Sequence, residues 1–375
     1  MKIKIAALIA VVPILVFAKS PFETTMEMPQ TFIQDFNPPT TQTTSVQQQS
    51  VPEQQQKTVQ SPITVKTISL PSIPKIAILV PSKVIGRYAN STTSALLAYM
   101  LTKNHPFEIK TFEIDNQDQN SLSNALHNIQ HQGFNYVIAP LTKDGVEKLN
   151  ALNPQINIFI PTVNKDEFGS TSPHLYFGGI DYKAQTDVLL KLSHKPLVIF
   201  KDNSSVSENL SQYAQKKSNM KSFLLTLDKS SNLKKYLYRS SQLKHASFLT
   251  NTPVVKTGVI LSQITLYDVE ATNILSTQIN YDPMILSMTQ YNDRKNMIIA
   301  NSILKENNEV TDSNLVLNND IVYDWINYAT TIGADYFYSK ITGDARSYPL
   351  TMSGNQIIYP INLVKPSNGN FISYR

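Results

Sequence analysis

Lys75-Ile-Ala-Ile-Leu-Val80 follows Pro74 with one charge at its start and no polar interruption after it. An unbroken apolar run of this length reads as a strand buried on both faces, and such strands belong to parallel sheets covered by helices. The flanking sequence agrees. Thr92 to Thr102 carries Leu96, Leu97, Met100 and Leu101 and reads as a helix, Phe107 to Ile114 alternates as a strand, and Leu122 to Gln132 is helical again. Asn135 to Ala139 is a second buried strand, closing at Pro140-Leu141-Thr142. A helix around Gly145 to Leu152 leads to a third, Ile156 to Ile160, closing at Pro161-Thr162. This alternation predicts a doubly wound parallel sheet with right-handed crossovers and its loops of interest at the strand C-termini.

The pattern then restarts. Tyr182 to His194 reads as helix, Pro196 to Phe200 as strand, Ser207 to Lys217 as helix, Ser222 to Thr226 as strand and Leu233 to Leu243 as helix. Ala246 to Thr250, a helix over Pro253 to Leu266, and Asn273 to Thr277 complete a second lobe of similar size. Asp320 to Tyr338 is one more long helix, carrying the only tryptophan, Trp325. Two alternating strands, Tyr348 to Met352 and Ile357 to Leu363, are joined at Ser353-Gly354-Asn355, a hairpin turn sequence. The expected fold class is therefore α/β, with two Rossmann-like lobes in series around a central cleft. Lobe 1 spans about 73–180 plus a return segment 320–375, and lobe 2 about 181–319.

Ahead of these lobes the composition differs. Met1 to Ala18 begins with Lys2 and Lys4, runs apolar from Ile5, and ends Val16-Phe17-Ala18, the pattern of a secretory signal. Its apolar run falls short of the roughly 20 residues that span a bilayer, so cleavage is expected, with a transient inner-membrane tether as the fate of an uncleaved leader. Residues 19–72 hold 10 Gln, 10 Thr and 7 Pro and no glycine. Such a segment buries too little apolar surface to order itself, and it reads as a spacer of about 40 Å root-mean-square reach. Phe22, Met26, Met28, Phe32, Ile33 and Phe36 give its first part an apolar character, read either as sticky disorder or as a docking segment that folds on a partner.

Composition excludes several functions. The 375 residues contain no cysteine, which removes disulfide scaffolds, Cys-ligated zinc, thiol nucleophiles and a lipoprotein anchor. Lys and Arg number 33 against 28 Asp and Glu, a balance of +5 that falls to +3 without Lys2 and Lys4. That is too small for a nucleic-acid footprint. No nucleophile elbow and no other catalytic motif is present, so neither catalysis nor a cofactor is expected.

Several stretches together resemble the type 1 periplasmic-binding-protein fold. Lys75 to Ser82 with the loop Lys83 to Ser91 looks like its opening strand and first cleft loop, and Gly133-Phe-Asn-Tyr-Val-Ile-Ala-Pro-Leu141 like a later strand. Ile332-Gly-Ala-Asp-Tyr336 is similar to its return helix, and Leu350 to Ile358 through Gly369-Asn-Phe371 to its closing hairpin. Within that fold, His245 to Pro253, Asn273 to Gln278 and Asp293 to Ile299 resemble the C-terminal domain of the penicillin-binding-protein activator (LpoA-like) family, whose members activate a peptidoglycan synthase by contact. The missing lipidated Cys and the spacer in place of a helical-repeat domain depart from that pattern.

In this fold the cleft is lined by strand-end residues: Ser82, Thr142, Thr162, Asn164, Asn251, Thr252, Thr277 and Tyr281. Their hydroxyls and amides either contact a small ligand or cap helices and tighten turns. The resemblance to amino-acid-binding members implies a stacking aromatic and an acid for the ligand amine, for which Tyr176, Tyr281, Asp181 and Asp282 are candidates. His127 and His131 stand four apart on a helix without a third ligand nearby, which reads as a solvated face rather than a metal site. Lys216-Lys217 and Lys234-Lys235 read likewise. The tyrosines 323, 328, 336, 338, 348 and 359 suit either an interface or core packing.

The expectation is an exported, periplasmic, non-enzymatic activator or adaptor of the cell envelope whose partner is an envelope protein such as a peptidoglycan synthase. The alternative is a solute-binding protein for an amino acid or similar small ligand.

Overall fold

Ile76 to Val80 is enclosed on both faces, with no residue more than 2% exposed, as its unbroken apolar run requires. The structure, a computed structural model, describes residues 73–227, 233–240, 243–304 and 307–374. The leader read at 1–18 and the spacer read at 19–72 lie outside the described residues. All that follows concerns one compact unit within residues 68–375.

The first lobe runs β1 (Lys75–Pro81), α1 (Ser82–Ile85), α2 (Tyr88–Leu101), β2 (Glu108–Ile114), α3 (Gln119–His131), β3 (Tyr136–Ile138), α4 (Lys143–Ala151), β4 (Asn157–Ile160) and β5 (Leu175–Phe177). The second runs α5 (Tyr182–Leu190), β6 (Leu197–Lys201), α6 (Ser205–Lys217), β7 (Ser222–Thr226), α7 (Lys234–Leu237), β8 (Ser247–Asn251), α8 (Val254–Leu266), β9 (Asn273–Ser276), α9 (Met284–Met288), α10 (Tyr291–Arg294) and β10 (Met297–Asn301). The chain then forms α11 (Asn308–Val316), α12 (Trp325–Thr342), β11 (Met352–Ser353), β12 (Gln356–Ile357), β13 (Asn362–Pro366) and β14 (Phe371–Ser373).

The two sheets share one plan. Their strand orders are β11-β12-β5-β4-β3-β1-β2 and β14-β13-β10-β9-β8-β6-β7. Six strands of the first sheet and five of the second pair in parallel, and a late hairpin closes one edge of each; its inner strand joins parallel in the first (β12 on β5) and antiparallel in the second (β13 on β10). The edge strand β2 carries Glu108, Lys110 and Glu113 outward, charges that discourage pairing with another chain. This is the α/β fold of two mixed, mostly parallel sheets in series that the sequence predicts.

The lobe boundaries differ from those expected. The return to the first lobe begins after β10, near residue 302, rather than at 320. Helix α11 already packs on α2 there, with Ser313 Oγ donating to the Ala98 carbonyl at 2.8 Å. Nor does all of 320–375 stay in the first lobe, because β13 pairs antiparallel with β10, Ile299 facing Val364, and carries β14 into the second sheet. The expected turn is present, with Gly354 and Asn355 at φ 53° and 68° closing β11 on β12. The strands around it are only two residues each. Pro360, with no N–H to give a ladder, lies in the passage from one sheet to the other. Among the described residues, three crossovers therefore link the lobes, near 178–181, after β10 and near 358–361.

Candidate functional site

Two cavities lie along the lobe junction. The one at the ends of β1 and β9 has a volume of about 410 Å³. Arg87 and Tyr88 enter it from the loop between α1 and α2, Gln278 to Pro283 from the segment after β9, and Asp320 to Trp325 from the approach to α12. The other, about 470 Å³, sits against the first and third crossovers and is bounded by Asn164 to Asp166, Asp181 and Gln356 to Tyr359.

Most of the strand-end residues singled out in the sequence are engaged within the fold. Ser82 opens α1, and its carbonyl accepts from the Gly86 amide at 3.1 Å. Thr142 caps α4 through the Gly145 amide, and Gln117 Oε1 accepts from its amide at 2.9 Å and its hydroxyl at 3.2 Å. Thr162 Oγ1 donates to the Leu141 carbonyl. Asn164 accepts from the Asp166 amide at 2.9 Å and donates to the Gly179 carbonyl at 3.1 Å. Asn251 donates to Ser211 Oγ at 3.0 Å, and the Thr252 and Thr257 hydroxyls share a bond of 2.8 Å. Thr277 is fully buried, its Oγ1 without a hydrogen-bond partner. Tyr281, 2% exposed, is the one of the eight that borders the 410 Å³ cavity, and Asn164 the one that borders the other.

Of the acids and aromatics suggested for an amine, Asp282 borders the same cavity as Tyr281. Tyr176 does not: its hydroxyl meets Asn157 Oδ1 at 3.2 Å and Lys340 Nζ at 2.7 Å, beside the N-terminal end of β4. Asp181 caps α5 through the Ala184 amide and faces the 470 Å³ cavity. His127 and His131 are exposed on α3, and among the described residues no group of three or more His, Asp or Glu gathers as metal ligands. The C-terminal tyrosines pack inward, Tyr328 against Tyr348 and Tyr359 with centroids 5.9 and 6.0 Å apart, and Tyr338 against Tyr99 at 6.2 Å. Tyr328, Tyr338 and Tyr348 are buried and serve core packing, while Tyr323, Tyr336 and Tyr359 are half-buried.

The chemistry of the 410 Å³ cavity comes largely from residues the strand-end rule passes over. Arg87 donates to the Tyr88 hydroxyl at 3.1 Å, a bond that, with the charges of Asp324 and Asp282, raises the guanidinium pKa further. Asp282 accepts from the Met284 amide at 2.8 Å, and Asp320 from the Val322 and Tyr323 amides at 2.7 and 3.0 Å. Asp324 caps α12 through the Ile326 and Asn327 amides at 3.0 and 3.2 Å. Burial raises its pKa against those bonds and against Arg87, and the neighbouring Asp320 adds to the rise. Rings close the walls: Tyr281 lies 5.2 Å from Tyr323 and 4.7 Å from Phe371, and Tyr182 meets Trp325 edge-on at 6.2 Å. Burial raises the pKa of Tyr281 and Tyr182, so both remain neutral phenols at any physiological pH.

A fold of two doubly wound lobes joined by three crossovers, with a cavity at the strand C-termini, is the type 1 periplasmic-binding-protein fold. Solved structures divide between two kinds. The leucine-binding protein LivK of Thermotoga maritima superposes with a TM-score of 0.56 at 10% identity, over 81% of this chain and 98% of that one. A periplasmic ligand-binding protein of a branched-chain amino acid transporter from Burkholderia xenovorans gives 0.60 at 10% identity, over 80% and 94%. The C-domain of LpoA from Haemophilus influenzae, a regulator of PBP1A, gives 0.54 at 8% identity, over 80% and 100%. Against full-length LpoA this chain covers 61% of that protein's length. No family profile matches the chain, and no curated protein matches it. Among the described residues no helix is long and apolar enough to cross a membrane.

Proposed function

We propose that this chain is an exported, non-enzymatic activator or adaptor of the cell envelope that regulates a peptidoglycan synthase by direct contact. The observation that carries the reading is the internal engagement of the strand-end groups. A receptor for a zwitterionic solute needs hydroxyls and amides turned toward its cleft. Here Thr142, Thr162, Asn164 and Thr252 instead fasten loops and helix ends, which supports reading the fold as a scaffold. The likeness to the LpoA C-domain supports the same reading, and the Gln/Thr/Pro-rich 19–72 suits a domain that must reach a partner within the wall. Crosslinking in living cells followed by purification of the full chain tests it. Recovery of a peptidoglycan synthase is the expected result; recovery of no envelope protein sinks the proposal.

The 410 Å³ cavity favours a second reading, a periplasmic solute-binding protein. That reading predicts a raised melting temperature with an amino acid or a similar small ligand. A flat response across amino acids, peptides and muropeptides counts against it.

A further inference from the structure

Helix α8 turns apolar side chains in two directions. Thr257, Gly258, Ile260, Leu261 and Ile264 are buried, yet on the opposite side Leu266 is 66% exposed, Val255 53% and Val259 49%. A surface helix ordinarily presents polar residues to water, so a second apolar face marks a surface that something covers. The neighbouring helices extend it. Both α9 and α10 pack on α8, with the Met288 methyl 3.5 Å from where a Cβ on Gly258 would stand, and Met284, Met288 and Tyr291 are all exposed.

The spacing along that face specifies a helix as its occupant. Val255, Val259, Ser262 and Leu266 recur at intervals of four, three and four residues, the narrow a/d seam of a coiled coil. Two copies of α8 laid antiparallel match this seam to itself: Val255 meets Leu266 and Val259 meets Ser262, a larger side chain beside a smaller one in each layer. Charge does not oppose the pairing. Lys256 is the only charged residue of α8 and is paired with Asp202 at 2.8 Å, while Asp293, beside the seam, accepts from the Ser262 hydroxyl at 3.3 Å and the Gln290 amide at 3.0 Å. The area suits a dimer as well. The six exposed apolar side chains leave on the order of 500 Å² in water, toward the upper end for a single patch on a monomer. With a polar rim added, the face reaches the roughly 800 Å² per partner of a stable complex.

We infer that the face formed by α8, α9 and α10 is a two-fold interface through which two copies of this chain associate, their α8 helices antiparallel about an axis near Val259 and Ser262. A closed two-fold pairing uses one patch twice and leaves no apolar surface for further growth. The interface is separate from the contact function. A chain that stays monomeric leaves activation of a synthase standing, and a dimer that activates nothing leaves the interface standing.

The test is sedimentation velocity on the full chain. At about 50 µM the chain sediments with twice the monomer mass. Leu266→Lys and Val259→Asp, both at exposed positions, weaken the association at least about tenfold with unchanged circular dichroism spectra. Val316→Lys, at the exposed end of α11, leaves it as it was. Because the chain contains no cysteine, a single thiol gives a second readout on a face otherwise unaltered: a short bis-maleimide joins Val259→Cys to its own copy and does not join Val316→Cys. A chain that remains monomeric at that concentration, with the face bare or covered by another protein, overturns the inference. So does a dimer that withstands both α8 substitutions, or one that crosslinks no better through Val259→Cys than through Val316→Cys.

Discussion

Asp202, at the C-terminal end of β6, shows how a single side chain ties stability to pH. It is 4% exposed and accepts from Lys256 Nζ at 2.8 Å and from Ser204 Oγ at 2.6 Å. Burial alone would push its carboxyl up, but Lys256 and the two Ser204 donors prevail and hold it at about 2. An unfolded Asp titrates at about 3.9. The folded value lies below it, so the contribution is complete above pH ~4 and is lost as pH falls toward ~2. At neutral pH it is on the order of 2 kcal/mol. Lys256→Met is therefore expected to move the acid-unfolding midpoint to higher pH and to lower stability at pH 7 by about 1 kcal/mol. An acid titration followed by circular dichroism checks both, and an unchanged midpoint contradicts the account. Asp335 is a deeper instance: fully buried on α12, it accepts from Tyr99 Oη at 2.8 Å, Arg346 Nε at 2.9 Å and the Ser347 amide at 2.6 Å. It fastens the long helix to α2 and to the loop that follows.

Among the elements, α12 is the one on which the first lobe turns, because it packs on α2 and against β3 and β4. Gly333 lets it approach the sheet, and a Cβ there would come within 2.3 Å of the Phe159 ring. Phe159 is itself fixed against Phe337, 6.0 Å away. Gly333→Ala is expected to cost about 1–3 kcal/mol despite the better helix propensity of alanine. Urea unfolding measures it, and a neutral or stabilised variant would show that α12 is free to shift. The apolar strands and the helices with a strong stripe were legible in the sequence for the same reason they are buried. Others were not, among them the short helices α1, α9 and α10 as well as β5, β10 and α11. β5 is only Leu175–Phe177, too short to show a period. β10, Met297–Asn301, overlaps Asp293 to Ile299, a stretch that carries the family resemblance. α11 buries just Val310 and Asn314 and has no stripe to read. The helix read over 233–243 is realised as α7 over four residues, with 241 and 242 outside the described residues.

At the scale of the whole molecule, hydrogen bonds between crossovers tie the lobes together. Gln356 Nε2 and Asn164 Nδ2 both donate to the Gly179 carbonyl at 3.1 Å, and Tyr359 Oη donates to the Gly178 carbonyl at 2.8 Å. The first and third crossovers are thus strapped to each other, and Tyr328 Oη accepts from the Leu304 amide at 3.3 Å beside the second. The rule that ligands gather at strand C-termini leads to side chains that are mostly engaged within the fold. It selects Ser, Thr and Asn, the residues best able to cap and fasten, whereas the open groups come from the α1–α2 loop and the approach to α12. Of the residues around the 410 Å³ cavity, Tyr281 and Asp282 were named singly from the sequence, and Arg87 and Tyr88 lie in the segment read as the first cleft loop. We propose an internally fastened scaffold that acts by touching a partner. Its most direct test is the rate at which a purified peptidoglycan synthase from the same cell polymerises its lipid-linked precursor, with and without the full chain. A severalfold acceleration that saturates with the chain is the predicted result. A rate unchanged at saturating concentration, with no complex detected between the two, contradicts it.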